Sequence, residues 1–335
     1  MIKKLIISKI YLIVFVLFTV FISCKKEVIL NDYTLQGTVF GTTYKIKYLQ
    51  AEKNHQKSID SLFNLINGSL STYIPDSKIS KINKGNTSII VDDLFVEVFQ
   101  KSKKIYKETN GYFDPTVGNL VNAWGFGPEK EKNNLTEAEV KEQMKYVGLD
   151  LVTLKNYKIY KKYSNIYLDF NSIAKGFGLD VVARFLDAKE IDNYLIEIGG
   201  EIRAKGEKNQ KKPWIIKLVD PLKKDMNGGF KNINLSNKSM ATSGNYRKFR
   251  ITKEGKKFVH TINPKTGLAL ESNLLSASVI ANLDCADVDA YATSFMVMGL
   301  EKTKQFLKTH KNLEVILLFI NNEGELQEYT NYTYK

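Results

Sequence analysis

The chain has 335 residues, of which 43% are hydrophobic, and its formal net charge is +13. A chain of this size can bury a core large enough to hold one large or two intimate domains together without a disulfide framework. The lysines are scattered along the sequence rather than grouped, which excludes a basic arm for nucleic acid and favours attraction to anionic partners such as phosphate ligands or lipid headgroups.

The first 23 residues have the pattern of a bacterial lipoprotein signal peptide. Three lysines precede an apolar run of 13 residues, Ile10–Ile22, which is too short to span a bilayer comfortably. Ser23 and Cys24 form a loose lipobox, and this resemblance predicts cleavage before Cys24 and lipidation of its thiol. The mature chain, with a net charge of 13 − 3 = +10, would then be anchored to the membrane and face the periplasm. The alternative is an uncleaved N-terminal anchor.

Two elements early in the chain are predicted from periodicity. Alternating residues over Tyr33–Tyr48 predict a β-hairpin that turns near Phe40–Thr42. Apolar residues three and four apart over 59–70 predict an amphipathic helix. A second helix is predicted over 93–109, where Asn110 and Gly111 suit a C-terminal cap.

The middle of the chain mixes helices and strands. Thr136 and Glu139 have the spacing of a capping box at a helix start. Short strands are predicted near Val152 and Lys158, and a helix over 172–188.

From residue 194 onward strands dominate, with helices predicted near 285–299 and 301–309. Strands and helices without a regular βα alternation predict an α+β fold with mixed or antiparallel sheets and packed helices. A short tether over 24–32 would lead into a single domain over 33–335.

A candidate metal site lies in the stretch Asp284–Thr293. Asp284 suits the N-cap of a helix and Gly299 its stop. Asp289 and Thr293 are four residues apart, so their oxygens share one face, at the exposed edge of the helix beside its apolar stripe. A carboxylate and a hydroxyl in this position suit a hard cation such as Mg²⁺, which often completes its shell with substrate phosphate. The alternative is that the acidic residues only complement the helix dipole.

A candidate anion site lies in Asp169–Gly178, which runs from a strand end into a helix start. Backbone N–H groups at that point, with Lys175 in the first turn, favour binding of an anion. The glycine spacing fits neither the phosphate loop of nucleotide hydrolases nor a dinucleotide fingerprint. Lys175 could equally be an ordinary surface lysine.

His260 is the candidate general base. It lies where a strand gives way to a loop containing Pro264 and Gly267, next to a hairpin predicted to turn at Glu254–Gly255. A histidine titrates near neutral pH and can accept a proton from a hydroxyl. The other two histidines lie in polar, lysine-rich surroundings. The alternative is a hydrogen-bonded structural histidine.

Taken together and in order, these segments resemble the ApbE-type flavin transferases, the FAD:protein FMN transferase family. The resemblance covers about residues 35–300 and rests on an ordered set of segments: 40–44, 71–73, 111–118, 120–127, 169–176, 198–201, 242–247, 260–267 and 289–293. The resemblance implies an ApbE-like fold, related to the T-fold.

The resemblance also implies roles for individual residues. It places FAD against Phe40, Tyr73, Tyr112, Phe113, Asp114, Asn171, Lys175, Phe177 and the backbone near Ile262. It gives Mg²⁺ to Asp289, Thr293 and the backbone carbonyl of Ala174, and makes His260 the catalytic base.

The sequence departs from the family's pattern at four places. Phe40 stands where the family often has Met, and Asn263 replaces an Asp before the proline. Asn171–Ser172 replaces a frequent glycine pair. Ala292 occupies a position that is acidic in some relatives, so the metal shell is expected to be poorer in carboxylate.

The activity implied by the resemblance is Mg²⁺-dependent transfer of the FMN moiety of FAD to a Thr or Ser hydroxyl of a target protein, such as a membrane redox subunit, with release of AMP. One alternative is an FAD pyrophosphatase, in which water replaces the hydroxyl. Another is a non-catalytic flavin-binding lipoprotein, against which the presence of His260 with Asp289 and Thr293 argues, since binding alone needs none of them.

Overall fold

The computed structural model describes residues 29–128, 135–208, 212–221, 229–245, 249–251, 257–259, 261–269 and 272–334. Its helices are α1 (Gln56–Leu70), α2 (Lys78–Asn83), α3 (Asp93–Glu108), α4 (Gly118–Ala123), α5 (Glu137–Met144), α6 (Ala174–Asp187) and α7 (Cys285–Leu307), with a 3₁₀ turn at Leu149–Leu151. Its strands are β1 (Asn31–Val39), β2 (Thr42–Ala51), β3 (Val152–Lys155), β4 (Lys158–Lys161), β5 (Tyr194–Ile198), β6 (Glu201–Lys205), β7 (Trp214–Val219), β8 (Gly229–Leu235), β9 (Lys238–Gly244), β10 (Phe249–Ile251), β11 (Lys257–Val259), β12 (Leu274–Ala281), β13 (Glu314–Ile320) and β14 (Leu326–Thr330).

Eight of these strands form the central sheet, in the order β1-β2-β5-β6-β9-β12-β13-β14. Every neighbouring pair among them is antiparallel. The three small sheets, β3-β4, β7-β8 and β10-β11, are antiparallel as well. The predicted α+β class with antiparallel sheets and packed helices is therefore confirmed.

The centre of the sheet is buried on both faces. Along β13, Val315 and Leu317 pack into the core beneath the helices. Ile316 and Leu318, which point the other way because side chains alternate along a strand, pack against the β7-β8 hairpin. Trp214 of that hairpin is only 2% exposed. The sheet thus separates a helical layer from a small β layer.

Helices α6 and α7 pack closely at their N-terminal turns. A Cβ atom at Gly176 would lie 2.3 Å from the carbonyl oxygen of Cys285. Because both sides of this contact are backbone, neither can move without shifting a helix, and only glycine fits here. The two candidate segments of the sequence, one at the start of each helix, are thereby brought together.

The N-terminus of α7 is capped by a side chain of α6 rather than by the side chain of its own N-cap residue, Asp284. The backbone N–H groups of Cys285 and Ala286 donate to the carboxylate of Asp180 at 2.7 and 2.8 Å. Asp284 makes no side-chain cap and instead pairs with Lys101 at 2.8 Å. The prediction that Asp284 caps the helix with its side chain is therefore wrong, because a carboxylate from a neighbouring helix satisfies the same donors.

Gly299 interrupts α7 as the sequence predicts. Its φ and ψ are 74° and 178°, outside the helical region, and a second helical segment then continues to Leu307. Glycine permits this left-handed φ without the clash of a Cβ atom. The predicted pair of helices is confirmed as two segments joined at a kink.

Several other predicted elements are also found, but the strand predicted to end near Asp169 is not, because Tyr167 makes only an isolated bridge with Val117. The β1-β2 hairpin turns at Phe40 and Gly41, whose φ values of 51° and 73° suit a tight two-residue turn. The side chains of Thr136 and Glu139 form the predicted capping box. Helix α3 is followed by Asn110 in the left-handed region.

The described part of the chain begins just before β1. Strand β1 starts at Asn31, within the segment predicted as a tether. The predicted signal peptide and Cys24 lie outside the described residues. Among the helices of the described ranges, none combines the length and the apolar character needed to cross a membrane.

Candidate active site

Three charged side chains lie where the first turns of α6 and α7 meet the start of β6. Lys175 Nζ is 3.3 Å from Glu201 Oε1 and 3.6 Å from Asp289 Oδ2. The backbone N–H of Gly176 donates to the same Asp289 oxygen at 3.1 Å. The anion at the start of α6 is therefore the protein's own Asp289, and binding of a ligand anion there stays a prediction. Lys175, Glu201 and Asp289 are called the acid-rich cluster below.

The acid-rich cluster is buried. Asp289 is 1% exposed and Glu201 is 3% exposed. The expectation that Asp289 lies at the exposed edge of its helix is wrong, because α6 and β9 pack over the face of α7 that carries it. A carboxylate so deeply buried needs compensation by cations or hydrogen bonds.

Burial and charge act in opposite directions on these groups. Burial lowers the pKa of Lys175, but the charges of Asp289 and Glu201 outweigh it, and the pKa is raised overall. Burial raises the pKa of Glu201, and the attraction of Lys175 offsets this only in part. One ammonium faces two carboxylates, so the cluster carries one excess negative charge when all three groups are ionised.

Oxygen donors suited to a hard cation continue along α7. Thr293, one turn after Asp289, has its Oγ1 atom 3.2 Å from Ser243 Oγ on β9. Ala174 is the first residue of α6, two positions before the Gly176 N–H that contacts Asp289. No group of three or more His, Cys, Asp and Glu side chains within metal-binding reach is found in the described ranges. Any metal site here would therefore combine few carboxylates with hydroxyl, carbonyl and ligand oxygens.

A second group of predicted site residues extends from α6 towards an exposed tyrosine. The Asn171 side chain donates to Thr72 Oγ1 at 3.4 Å, which brings it beside Tyr73. The Tyr73 side chain is 59% exposed, so its ring is free to contact a flat aromatic ligand. The backbone N–H of Asp169 donates to the carbonyl of Pro115 at 2.8 Å, which joins this group to the segment containing Tyr112 and Asp114.

The Tyr112 side chain is held between two lysines. Lys302 donates to its hydroxyl at 2.8 Å, and the ammonium groups of Lys302 and Lys265 lie 5.1 and 5.9 Å from the ring centroid. Two residues on, Asp114 is buried and accepts hydrogen bonds from the backbone and side chain of Thr116. Burial raises the pKa of the Asp114 carboxyl to about 6, although the Thr116 hydrogen bonds act against it.

The remaining predicted FAD residues are largely buried. Phe113 and Phe177 belong to the main hydrophobic core, at 2% and 0% exposure, and Ile262 is 4% exposed in a smaller cluster. Phe40 is half-buried, and its ring covers Gly178, where a Cβ atom would lie 2.5 Å from it. Core packing thus accounts for Phe113 and Phe177, and direct flavin contacts from these two side chains stay a prediction.

His260 lies outside the described residues, but its flanks do not. The two strands of the predicted hairpin pair, with Val259 of β11 opposite Phe249 of β10, and the predicted turn at Glu254–Gly255 lies outside the described residues. Thr261 donates its hydroxyl hydrogen to Asn245 Oδ1 at 2.7 Å, just beyond the end of β9. The segment after the candidate base is therefore tied to the residue that follows the strand carrying Ser243.

Known proteins are similar to this chain over most of its length. The family model described as the ApbE family matches residues 40–317. The chain belongs to the ApbE family. An FAD:protein FMN transferase of Haemophilus influenzae is 37% identical over 90% of each chain, and one of Vibrio cholerae is 33% identical over 93% of this chain and 94% of its own.

Solved ApbE structures show the same fold. The flavin transferase ApbE from Vibrio cholerae superposes with a TM-score of 0.80 at 33% identity, covering 90% of this chain and 97% of its own. The flavinyl transferase ApbE of Pseudomonas stutzeri, in its apo form, gives a TM-score of 0.80 at 25% identity. The ApbE-like architecture predicted from the ordered segments is confirmed.

Sequence reasoning missed three polar residues of the site. Glu201 lies in the segment 198–201 of the resemblance, which gives this residue no role. Its position directly after Gly199–Gly200, at the start of a strand, is a signal from which a site residue could have been predicted. Ser243 and Asn245 contact Thr293 and Thr261, and Asn245 is 5% exposed. No local pattern distinguishes these two from ordinary turn residues, because their role depends on contacts between distant segments.

Proposed function

We propose that this chain transfers the FMN moiety of FAD to a hydroxyl group of a target protein. Flavin transfer to a protein is the activity for which its relatives in the ApbE family are named. The observation that carries the proposal is the acid-rich cluster, where segments that are distant in sequence bring Lys175 and two carboxylates together in a buried position.

Mg²⁺ fits the residues at this place. When all three groups are ionised, the acid-rich cluster has one more negative than positive charge, and the donors nearby are oxygens of the kind that Mg²⁺ prefers. Asp289, Thr293 and the carbonyl of Ala174 would hold the ion. When bound, Mg²⁺ would neutralise charge on the pyrophosphate of FAD as AMP departs.

The chain's own residues would orient FAD and move one proton. The exposed ring of Tyr73 would contact the flavin or adenine, and Asn171 and Lys175 would face the phosphates. His260 would take the proton of a Thr or Ser hydroxyl of the acceptor, whose oxygen then attacks the FMN-side phosphorus. A phosphoester bond to FMN forms, the pyrophosphate bond breaks, and AMP leaves.

The proposal is tested by the products formed from FAD. The full chain is incubated with FAD, Mg²⁺ and a candidate acceptor protein, and the acceptor's mass and the free nucleotides are measured. An acceptor heavier by one FMN on Thr or Ser, with an equal amount of AMP, supports transfer. Free FMN and AMP with an unchanged acceptor indicate a pyrophosphatase, and intact FAD throughout indicates a binding protein.

We further propose that Cys24 is lipidated and anchors the chain to the membrane, facing the periplasm. The support is the 13-residue apolar run and the Ser23–Cys24 junction. Expression in a bacterial host with labelled fatty acid should label the wild type and spare Cys24→Ser. Equal labelling of both proteins contradicts the proposal.

A further inference from the structure

Glu201 is a buried carboxylate with one oxygen left unsatisfied. It is the first residue of β6 and follows a turn in which Gly199 and Gly200 have φ values of 62° and 104°. The residue is only 3% exposed to solvent, and its Oε1 atom contacts Lys175. Oε2 is buried and has no hydrogen-bond partner in the part of the chain that the structure describes. Buried carboxylate oxygens are expensive to leave unpaired, so this atom marks a place for a donor or a cation.

Lys175 does not compensate both carboxylates of the acid-rich cluster. Its single charge lies 3.3 Å from Glu201 and 3.6 Å from Asp289. The Gly176 N–H is a further donor to Asp289, but it carries no net charge. When both carboxyl groups are ionised, one negative charge is left uncompensated, and Glu201 Oε2 has no hydrogen-bond partner among the described residues.

The two carboxylates face the same ammonium group. Because both contact the same ammonium nitrogen, the contacting oxygens are at most about 7 Å apart, the sum of 3.3 and 3.6 Å. No other acid of α7 offers a carboxylate to this site. Asp287 pairs with Lys101, and position 292, which could have carried an acid, is an alanine. Glu201, reaching in from the sheet, is the second carboxylate beside Asp289.

We propose that Glu201 is a further residue of the metal site and offers Oε2 to the divalent cation. In this arrangement Glu201 supplies, from β6, the second carboxylate that α7 lacks, while Oε1 keeps Lys175 in place. The inference rests on the Mg²⁺ dependence proposed above, and it assigns a role to a side chain that the resemblance left without one.

The test is binding of Mn²⁺ alone to the full chain. The electron paramagnetic resonance signal of free Mn²⁺ measures how much of the ion is bound. Glu201→Gln keeps the shape of the side chain and removes its charge, and we expect Mn²⁺ to bind at least about 10-fold more weakly, the scale seen when a supporting group of a metal site is lost. Glu314→Gln is the matched control, because Glu314 pairs with Lys238 on the same sheet, away from the cluster. This control should bind Mn²⁺ as the wild type does.

A second measurement separates metal binding from a structural role. The melting temperature of Glu201→Gln without metal should stay at or above that of the wild type, while its rise on adding Mn²⁺ should shrink. Glu201→Asp keeps the charge, but its side chain is one methylene shorter and holds the carboxylate farther from the site. This variant should also bind Mn²⁺ more weakly. A lower melting temperature of Glu201→Gln with unchanged Mn²⁺ affinity overturns the inference.

Failure of this inference is distinguishable from failure of the proposed function. If Asp289→Asn loses Mn²⁺ binding while Glu201→Gln keeps it, Glu201 has no metal role and the proposed function stands. If the wild type binds no Mn²⁺, the metal site falls together with the role of Glu201, and the product analysis still decides flavin transfer.

Discussion

Two polar clusters lie at the contact between α6 and α7, and they differ in how completely their carboxylates are provided with partners. The first, called the capping cluster, consists of three acids and three bases: Asp180, Asp284, Asp287, Lys101, Lys104 and Arg203. Asp180 at its centre also accepts two backbone hydrogen bonds, so both carboxylate oxygens have partners. This is the pattern of a structural cap.

The acid-rich cluster, formed by the same two helices and β6, has two acids and one base. It includes a buried carboxylate oxygen, Glu201 Oε2, that has no hydrogen-bond partner among the described residues. Stability alone does not favour such an arrangement, because a buried carboxyl oxygen without a hydrogen-bond partner costs free energy. The difference indicates that the capping cluster holds the helices together, whereas the acid-rich cluster is where we propose that a bound cation supplies the missing partner.

The largest effect is expected from Asp289→Asn. The substitution removes the charge for the cation but keeps an oxygen that can accept the Gly176 N–H. We expect flavin transfer to fall by on the order of 1,000-fold, as when a main electrostatic contact to the reacting group is lost, while the melting temperature without metal changes little. Transfer rates at saturating Mg²⁺ measure this. A rate near that of the wild type would make Asp289 another structural carboxylate.

The next largest effect is expected from His260→Asn. Loss of a general base should slow transfer about 100-fold while FAD affinity is retained. The wild-type rate should rise with pH through the titration of the histidine, since only the neutral ring accepts a proton, and this rise should be absent in the variant. Reduced FAD affinity and a lower melting temperature, with the pH profile kept, would indicate a structural histidine.

A smaller effect, on stability, is expected from Asp180→Asn. The amide has a single acceptor oxygen, so one of the two N–H groups at the start of α7 loses its partner. Arg203 also loses the negative charge that it faces at position 180. We expect the free energy of unfolding to fall by about 2–3 kcal/mol. Urea denaturation measures it. The Mn²⁺ affinity of the folded variant should be that of the wild type, and a loss of affinity would erase the distinction between the two clusters.

The smallest effect is expected from Asp114→Asn, a buried carboxyl away from both clusters. Its pKa in the folded state is raised to about 6 from 3.8. A raised pKa contributes stability below pH 3.8 that is lost as the pH rises through about 6. Relative to the variant, the wild type should therefore lose about 2 kcal/mol between pH 4.5 and pH 7, at 1.36 kcal/mol for each unit.

This pH effect is measured by urea denaturation of both proteins at the two pH values. Other titrating groups are shared, so the difference between wild type and Asp114→Asn isolates this one carboxyl. A difference that stays constant with pH would show that the Asp114 carboxyl titrates alike in the folded and unfolded chains.

Local patterns predicted most elements of the fold. Helix α1 follows from its apolar spacing, the β1-β2 hairpin from alternation, and α5 from its capping box. Gly299 was recognised as an interruption because glycine is the residue that tolerates its φ of 74°. The order of the eight strands could not be derived from periodicity, since it depends on which distant strands pair.

The candidate site was predictable only in part for the same reason. The spacing of Asp289 and Thr293 places both on one face of α7, but it does not show that α6 covers that face. The cap of α7 by Asp180 joins residues more than 100 positions apart and leaves no local signal. Glu201 likewise gains its meaning from Lys175 and Asp289, which reach it from other elements.

The most direct test of the distinction between the two clusters is a crystal structure of the protein with FAD and Mn²⁺, in which anomalous scattering locates the metal. We predict one Mn²⁺ bound by an Asp289 oxygen and Thr293 Oγ1, at about 2.0–2.3 Å, with Glu201 Oε2 facing it. The capping cluster should contain none. Mn²⁺ bound at Asp284 and Asp287 instead, with Lys175 still between Glu201 and Asp289, would contradict the account.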